Sequence, residues 1–248
     1  MFHNKNVVIT GAGRGIGRAL ALGFAVQGAS VLVHYRHAQQ DAEEVVRQIE
    51  STGGRALLAQ ADLHIASDVS RLVTQAYETL GPIDVWINNA GASANTSETQ
   101  GLSEEERFER VMAVDVMGTW LCCRSVAEHM RPGGCILTTG WDHAFVGAAG
   151  FVNLVYATSK GAVIAMTRCL ARELAPGVRV NCIAPGWIEN EWAQRRTESF
   201  RQHVEQGIPM KRWGISDDIV AAALFLASPA ASFITGQVLI VDGGEVMR

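Results

Sequence analysis

Residues 5–17 read Lys-Asn-Val-Val-Ile-Thr-Gly-Ala-Gly-Arg-Gly-Ile-Gly, and this stretch decides the fold of the chain. The β-branched run at residues 7–9 predicts a short strand, and the apolar periodic residues 19–25 predict a helix. Between them lie Gly11, Gly15 and Gly17. Glycines at such a point permit positive φ and close backbone approach, and free N–H groups at a helix start attract phosphate. The stretch therefore indicates the phosphate-binding turn of a dinucleotide fold.

Strands and helices alternate along the rest of the chain. The predicted strands are residues 5–10, 29–35, 56–60, 83–87, 135–139, 178–183 and 237–241. The predicted helices after the first are residues 38–52, 67–80, a long one from Ser103 to about Met130, one from about Val152 to about Glu173, and 217–227. No repeat, proline-rich linker or charge block interrupts this order. We therefore predict an α/β fold with a doubly wound, Rossmann-type, parallel seven-stranded sheet, helices on both faces, and a single domain over residues 1–248. Residues 191–212 are polar with few core-like positions and look like a mobile flap of short helices. We expect residues 187–213 to form this substrate-loop flap.

The charge and the cysteine content of the chain indicate which partners, metal sites and cellular locations to expect. The chain has 248 residues, a hydrophobic content of 48% and a formal net charge of −4. This balance gives no basic field, so we expect neither nucleic acid nor a membrane as partner. The five cysteines are odd in number and show no C-x-x-C spacing. We expect buried, reduced thiols, no metal site and a cytoplasmic location.

The end of the second strand bears on the choice of cofactor. In dinucleotide folds a carboxylate at this point suits the 2′-hydroxyl of NAD, and a basic group suits the 2′-phosphate of NADP. Arg36 stands here, Arg14 lies in the glycine loop, and no carboxylate follows before Asp41. Two guanidinium groups near one phosphate favour NADP(H) over NAD(H). The alternative is two arginines that are merely exposed to solvent.

Tyr156 and Lys160 are four residues apart in a helix-forming run, so they share one helix face. Positive charge beside a phenol favours the phenolate and lowers the pKa of a tyrosine. The pair is therefore a candidate proton donor or acceptor. Taken alone, a Tyr-x-x-x-Lys spacing is more often two exposed side chains on a helix surface.

Several motifs occur together and in order: Thr10-Gly11-x-x-x-Gly15-Ile16-Gly17, Asp62, Asn88-Asn89-Ala90-Gly91, Tyr156-x-x-x-Lys160, Pro185-Gly186 and the tail at residues 235–244. With them the chain resembles the short-chain dehydrogenase/reductase family along essentially its whole length, and in particular its 3-oxoacyl-carrier-protein reductase-like members. The resemblance implies a nicotinamide cofactor and hydride transfer between a carbonyl and an alcohol on a small-molecule substrate. It also implies a homo-oligomer, either a tetramer or a dimer.

The resemblance assigns roles to individual residues. It implies that Tyr156 is the acid or base, that Lys160 holds the nicotinamide ribose hydroxyls, and that Asp62 lies by the adenine. Asn89 is expected near the cofactor ribose. The full expected cofactor-binding set is Gly11, Arg14, Gly15, Ile16, Gly17, Arg36, Asp62, Leu63, Asn89, Ala90, Gly91, Tyr156, Lys160, Pro185, Gly186, Ile188 and Asn190.

The family's catalytic serine is missing from this chain. Matching the fifth strand residue by residue puts Trp141 at the position of the serine, whereas counting back from Tyr156 puts His143 there. The polar groups nearby are Thr138, Thr139, Asp142 and His143. We favour Asp142 or His143 as the group that orients the substrate, since they follow the strand end where the ligand crevice lies. The alternative for His143 is an ordinary loop histidine.

Two further positions depart from the family. Asp115 stands where a long helix normally carries an asparagine. If Asp115 meets Lys160, it keeps the lysine charged but weakens the effect of that charge on Tyr156. Asn190 stands where a threonine normally bonds the nicotinamide amide, and an asparagine can make the same kind of bond.

Tryptophans fall on the three segments that we expect to wall the substrate pocket. They are Trp141, Trp187 and Trp192. Rings at these places predict a flat or bulky apolar substrate, or a pocket that the protein partly fills with its own side chains.

The sequence leaves two hypotheses. The first is an NADP(H)-dependent carbonyl reductase with an altered set of catalytic residues, favoured because Tyr156 and Lys160 are both present. The second is a cofactor-binding relative with weak or no activity, acting as a sensor or an assembly subunit. The joint loss of the serine and the asparagine favours the second.

Overall fold

Seven parallel strands form one sheet in a computed structural model that describes residues 1–247. The strands are β1 (Asn6–Ile9), β2 (Ser30–Tyr35), β3 (Arg55–Gln60), β4 (Ile83–Asn88), β5 (Met130–Thr139), β6 (Val178–Pro185) and β7 (Val238–Val241). Their order across the sheet is β3-β2-β1-β4-β5-β6-β7. The predicted doubly wound, parallel Rossmann-type sheet is confirmed. The strand order reverses at β1 and β4, so a crevice opens at the carboxyl ends of these two strands.

Helices cover both faces of the sheet. They are α1 (Gly15–Val26), α2 (Gln39–Ser51), α3 (Ala66–Leu80), α4 (Glu104–Val111), α5 (Thr119–Val126), α6 (Phe151–Leu174), α7 (Glu191–Gln194), α8 (Glu198–Gly207) and α9 (Ser216–Ala227). In β1, Val7 and Ile9 enter one hydrophobic core, and Val8 enters the core on the opposite face. Because alternate side chains of a strand point to opposite faces, a strand that is buried on both faces appears in the sequence as a continuous apolar run.

The predicted long helical segment from Ser103 to about Met130 is confirmed as a continuous helical run over residues 104–129, but the type of helix changes along it. Ser103 caps α4 as expected, and its hydroxyl accepts a hydrogen bond from the Glu106 N–H. A π-helical segment, Met112–Gly118, then separates α4 from α5, and a 3₁₀ turn at Ala127–His129 follows α5. Single π turns inside α-helices often occur at functional sites. The buried residue Asp115 lies in this segment.

Strand β5 begins earlier than predicted, at Met130 instead of Cys135. Met130 pairs with Ile83 and Cys135 pairs with Val85, so residues 131–134 bulge from the ladder opposite a single residue of β4. The bulge contains Gly133, whose φ of 81° lies in the region that favours glycine. A Pro-Gly-Gly run can therefore lie inside a strand as a bulge, where the sequence suggested a break between elements.

The segment at residues 187–213 contains the short helices α7 and α8, as predicted. Residues 191–212 hold few core positions, as expected: the buried apolar residues there are Ala193, Val204 and Ile208. With buried Trp213 and the partly buried Trp187 and Phe200, they form a small hydrophobic cluster of their own. Four of the five cysteines are buried thiols as expected, whereas Cys169 is exposed. Within residues 1–247, no helix combines the length and the apolar character needed to cross a bilayer.

Candidate functional site

A cavity of about 610 Å³ lies at the carboxyl ends of the strands on either side of the switch point. We call it the switch-point cavity. Eight of the predicted cofactor-binding residues line it: Gly11, Arg14, Arg36, Asp62, Leu63, Asn89, Ala90 and Gly91. The sheet topology thus gathers residues from four separate loops around one cavity, at the place where open α/β sheets bind dinucleotides.

The glycine loop after β1 is held against the end of β4. Asn89 Nδ2 donates hydrogen bonds to the carbonyl oxygens of Thr10 and Gly11, at 3.1 and 3.2 Å. The Thr10 hydroxyl accepts from the backbone N–H groups of Asn89 and Ala90, both at 3.0 Å. Gly11 has φ 63°, and a Cβ there would lie 2.9 Å from Ala90 Cα. The loop therefore tolerates no side chain at Gly11.

His34 also holds the glycine loop, and the sequence analysis did not single it out. Its Nδ1 accepts a hydrogen bond from the Gly11 N–H at 3.0 Å, so Nε2 carries the proton and donates to the Ala61 carbonyl at 3.1 Å. Burial lowers the pKa of His34 to about 4, which keeps the ring neutral. A histidine inside the apolar run of β2 was the signal available in the sequence.

One end of the switch-point cavity is basic. Arg36 and Arg110 both form ion pairs with Glu98, and Arg14 pairs with Asp41. The hydrogen bond from Arg36 holds the pKa of Glu98 below its usual value. Glu98 and Arg110 were not predicted from the sequence, because only the fold brings these residues to the end of β2.

Asp115 lies against Lys160 in the interior. Its Oδ2 is 3.0 Å from Lys160 Nζ and accepts a hydrogen bond from the Ser159 hydroxyl at 3.2 Å. Its Oδ1 accepts from the Ala92 N–H at 2.7 Å. Burial is the largest single influence on Lys160 and lowers its pKa, but the charge and hydrogen bond of Asp115, together with Tyr156, raise the pKa of the lysine above its usual value. The predicted contact between Asp115 and Lys160 is confirmed.

The Tyr156 ring centroid lies 5.3 Å from Lys160 Nζ. Burial raises the pKa of Tyr156, Lys160 acts in the opposite direction, and Asp115 and Asp142 reinforce the rise. Lys160 lowers this pKa and Asp115 weakens that effect, both as expected, but burial is the largest contribution and makes the net direction a rise. Its charge is shared with Asp115, and the phenol is partly withdrawn from water.

The Trp141 ring contacts both Tyr156 and His143. Its centroid is 5.1 Å from that of Tyr156, edge-on, and 5.0 Å from that of His143, stacked. His143 meets Trp187 edge-on at 6.2 Å, and Trp187 stacks on Trp192 at 6.1 Å. Aromatic rings thus run in contact from the phenol to α7. Of the two expectations for the tryptophans, this arrangement fits a pocket that the protein partly fills itself.

Asp142 and His143 belong to a cluster that also contains Glu245. His143 Nδ1 lies 2.8 Å from Asp142 Oδ1, and His143 Nε2 lies 3.6 Å from Glu245 Oε1. The Trp187 indole donates to the same Glu245 oxygen at 3.2 Å. Burial raises the pKa values of both Asp142 and Glu245. The sequence analysis did not reach Glu245, because it follows β7 and is remote from His143 along the chain.

Known proteins resemble this chain over almost all of its length. A family model described as enoyl-(acyl carrier protein) reductase matches residues 11–245. A 3beta-hydroxysteroid dehydrogenase 1 of Eggerthella lenta is 36% identical over 98% of this chain and 94% of that protein. A 3-oxoacyl-(acyl-carrier-protein) reductase of Staphylococcus epidermidis is 34% identical over 98% of this chain and 100% of that protein. The crystal structure of a short chain dehydrogenase from Burkholderia cenocepacia, in complex with NADP, has a TM-score of 0.88 at 32% identity and covers 98% of each chain.

The chain belongs to the short-chain dehydrogenase/reductase family. This finding confirms the resemblance drawn from the motifs, and it makes the chain a member of a family of oxidoreductases.

Some predicted cofactor residues of this short-chain dehydrogenase/reductase do not line the switch-point cavity. Ile16 and Gly17 lie in the first turn of α1, and Ile188 is buried and bridges to Gly214. Pro185 ends β6, and a Cβ on the next residue, Gly186, would lie 2.6 Å from Asp242 Cβ. Asn190 caps α7 by accepting the Ala193 N–H at 2.9 Å. With Arg14, Gly15 and Trp192, Asn190 lines a second cavity of about 1030 Å³.

Proposed function

We propose that this short-chain dehydrogenase/reductase reduces a carbonyl group on a small molecule to a secondary alcohol with NADP(H), using Tyr156 as the proton donor. The observation that carries the proposal is the contact between the phenol of Tyr156 and Lys160, at the carboxyl edge of a sheet whose switch-point cavity gathers the cofactor motifs. Among its relatives, the reductase of Staphylococcus epidermidis acts on a 3-oxoacyl group, and the dehydrogenase of Eggerthella lenta acts on a 3beta-hydroxysteroid.

The nicotinamide supplies the hydride when it is bound, and the chain's own residues handle the proton. As the carbonyl oxygen gains negative charge, Tyr156 Oη transfers its proton to that oxygen. Lys160 stabilises the phenolate that is left. Because burial and Asp115 raise the pKa of Tyr156, the phenol is protonated at neutral pH, which is the form that reduction needs. Oxidation of an alcohol needs the phenolate, so its rate is expected to increase as the pH rises toward the pKa of the phenol.

The preference for NADP(H) rests on the basic end of the switch-point cavity. Arg36 and Arg110 already hold one carboxylate between them, that of Glu98. A 2′-phosphate placed at the end of β2 meets the same guanidinium groups in place of Glu98. The Burkholderia cenocepacia neighbour was crystallised in complex with NADP.

The substrate-orienting role of the missing serine goes to His143 and Asp142. Asp142 Oδ1 holds the imidazole by its Nδ1, and the imidazole is part of the aromatic run that starts at Tyr156. The proposal also includes a homo-oligomer, a tetramer or a dimer, working in the cytoplasm as a single-domain enzyme.

A second candidate function is supported by one observation. The Trp141 ring lies against the phenol where the family carries a small serine, and it leaves less room for a substrate. Because of this ring, the chain could bind the cofactor with little turnover of substrate. It would then serve as a sensor or an assembly subunit.

A panel of carbonyl compounds with NADPH separates the two candidates. We expect consumption of NADPH with at least one ketone, and loss of at least a hundredfold in kcat for Tyr156→Phe, since general acid catalysis contributes about 10²–10⁴. Tyr77→Phe is the matched control, because Tyr77 is exposed on α3 and remote from the site. Binding of NADPH without turnover of any substrate rejects the enzyme proposal in favour of the second candidate.

A further inference from the structure

Three side chains with metal-binding atoms meet beside the aromatic run. Asp142 and His143 lie in the loop after β5, and Glu245 lies in the tail after β7. One donor atom from each residue lies within 4.8 Å of the other two. The loop and the tail are far apart in sequence, so the fold alone creates this cluster.

Two carboxylate oxygens in the cluster lack a hydrogen-bond partner among the described residues. They are Asp142 Oδ2 and Glu245 Oε2, and both atoms are buried. The Asp142 side chain has no exposed surface at all. An unpartnered buried carboxylate oxygen is costly unless a cation or a proton compensates it. Burial raises the pKa values of Asp142 and Glu245 because it disfavours their charged forms in the same way.

The distances favour a cation over a simple chain of hydrogen bonds. Asp142 Oδ1 lies 2.8 Å from His143 Nδ1, within hydrogen-bond distance. The other ring nitrogen, Nε2, faces Glu245. The separation of 3.6 Å between Nε2 and Glu245 Oε1 is too long for a hydrogen bond. Two donors at about 2.1 Å from one tetrahedral ion lie about 3.4 Å apart, close to that separation. A carboxylate on the far ring nitrogen is the usual partner of a metal-binding histidine.

We propose that His143 and Glu245, supported by Asp142, bind a divalent transition-metal ion of the Zn²⁺ class. His143 Nε2 and the Glu245 carboxylate are the direct ligands, and Asp142 is a positioning residue that fixes the imidazole. Mixed imidazole and carboxylate ligands select transition metals over Mg²⁺ and Ca²⁺, which prefer sites built from oxygen alone.

The ion ties the tail after β7 to the loop after β5. The Trp187 indole, which donates to Glu245, connects the same point to the hydrophobic cluster of residues 187–213. The bound ion therefore holds the loop and the tail together beside the substrate region. The Trp141 ring contacts both His143 and the catalytic phenol, so the ion lies next to the substrate region. When the ion is bound, both imidazole nitrogens are engaged, and the ion takes the place of a direct hydrogen bond from His143 to the substrate.

Calorimetry on the full chain tests the site without any assay of activity. The protein is stripped with a chelator and titrated with Zn²⁺ and, separately, with Mg²⁺. We expect one Zn²⁺ per chain, a higher Tm with Zn²⁺ but not with Mg²⁺, and tetrahedral absorption bands when Co²⁺ replaces Zn²⁺. Glu245→Gln and His143→Ala are expected to weaken Zn²⁺ binding at least a hundredfold, and Asp142→Asn ten- to a hundredfold.

His64→Ala is the matched control. His64 Nδ1 lies 2.9 Å from Asp62 Oδ1, the same pairing as in His143 and Asp142, but this pair is partly exposed and belongs to no three-ligand group among residues 1–247. The control should bind Zn²⁺ as the parent does. Equal affinity in the parent and in Glu245→Gln, both with a normal metal-free melt, overturns the proposal. Absence of stoichiometric Zn²⁺ binding in the parent also overturns it and leaves protons as the charges that compensate the two oxygens.

Discussion

Asp115 Oδ2 lies 3.0 Å from Lys160 Nζ, and the two side chains are 0% and 4% exposed. The π-helical segment at Met112–Gly118 carries the carboxylate, and α6 carries the amine. Because the same amine faces the Tyr156 ring, the carboxylate and the phenol share one positive charge. Burial raises the pKa of the phenol most, and the charges of Lys160 and Asp115 then act on it in opposite directions.

Asp115→Asn is predicted to move the pH dependence of alcohol oxidation to lower pH. Asp115 raises the pKa of Tyr156, so its removal lowers that pKa. Oxidation needs the phenolate, so its kcat rises with pH around the pKa of the phenol. A lower pKa therefore moves this rising limb of the pH profile to lower pH. The measurement is kcat against pH in the oxidation direction. Asp217→Asn, in the first turn of α9, is the control and should leave the limb in place. An unmoved limb in Asp115→Asn shows that Asp115 does not act on the phenol.

Lys160→Met is predicted to lower the free energy of unfolding by about 3–5 kcal/mol, because it leaves Asp115 buried without its cation. Adding Asp115→Asn to this variant removes the uncompensated charge, so the double variant should lose less than the sum of the single variants. Urea denaturation of the parent, both single variants and the double variant measures the coupling. Losses that add within about 0.5 kcal/mol would mean that the two groups do not interact energetically.

Trp141→Ser is predicted to raise kcat/KM for a bulky ketone by at least tenfold. The substitution removes a ring that contacts Tyr156 and supplies a hydroxyl that can bond the carbonyl oxygen. A single donor to a developing oxyanion contributes about 10²–10³ in kcat in other enzymes, and part of that gain is expected here.

Trp141→Ala is the matched control for the serine variant, since it opens the same space without a hydroxyl. Steady-state kinetics on both variants distinguishes the effect of the larger pocket from the effect of the added hydroxyl group. If the alanine and serine variants are equally active, space alone limits the parent and the hydroxyl has no role. If both are slower than the parent, the ring itself positions the substrate.

The fold was predictable because its signals are local. The glycine loop follows a β-branched run directly, and β1 is buried on both faces, so its last three residues are all apolar. The misjudged places depend on contacts across the chain. A bulge opposite Asp84 turned Pro132, Gly133 and Gly134 into part of a strand, and nothing in the local sequence distinguishes such a bulge from a loop.

The residues of the candidate site were also predictable where the signal is local, and not where it depends on contacts across the chain. Tyr156, Lys160 and Asp115 were identified from spacing and family pattern, and they do meet. Glu98 and Glu245 were missed because each is brought to its partners only by the folded chain. The direction of the Tyr156 pKa was also misjudged, because burial is the largest contribution and the sequence does not show it.

Arg36→Ala is predicted to weaken NADPH binding about ten- to a hundredfold, while NADH binding changes by less than about twofold. A hydrogen bond to a charged group contributes about 1.5–3 kcal/mol, and only NADPH offers a 2′-phosphate to Arg36. Fluorescence titration of both cofactors measures the change. Arg47→Ala, which removes an exposed arginine paired with Glu44 on α2, is the control. Equal losses for the two cofactors would show that Arg36 supports the cavity without recognising the phosphate.

Glu98→Gln is predicted to tighten NADPH binding by about tenfold and to leave NADH binding nearly unchanged. In the free protein the Glu98 carboxylate holds both Arg36 and Arg110, so a 2′-phosphate has to displace it and also meets its negative charge. Glutamine keeps the size of the side chain and removes that charge, which frees both guanidinium groups for the phosphate. Tenfold corresponds to about 1.4 kcal/mol. The gain should disappear in Glu98→Gln/Arg36→Ala, because the freed arginine is then absent. A tighter complex with NADH in Glu98→Gln would contradict this account, since it would place the competition somewhere other than the 2′-phosphate.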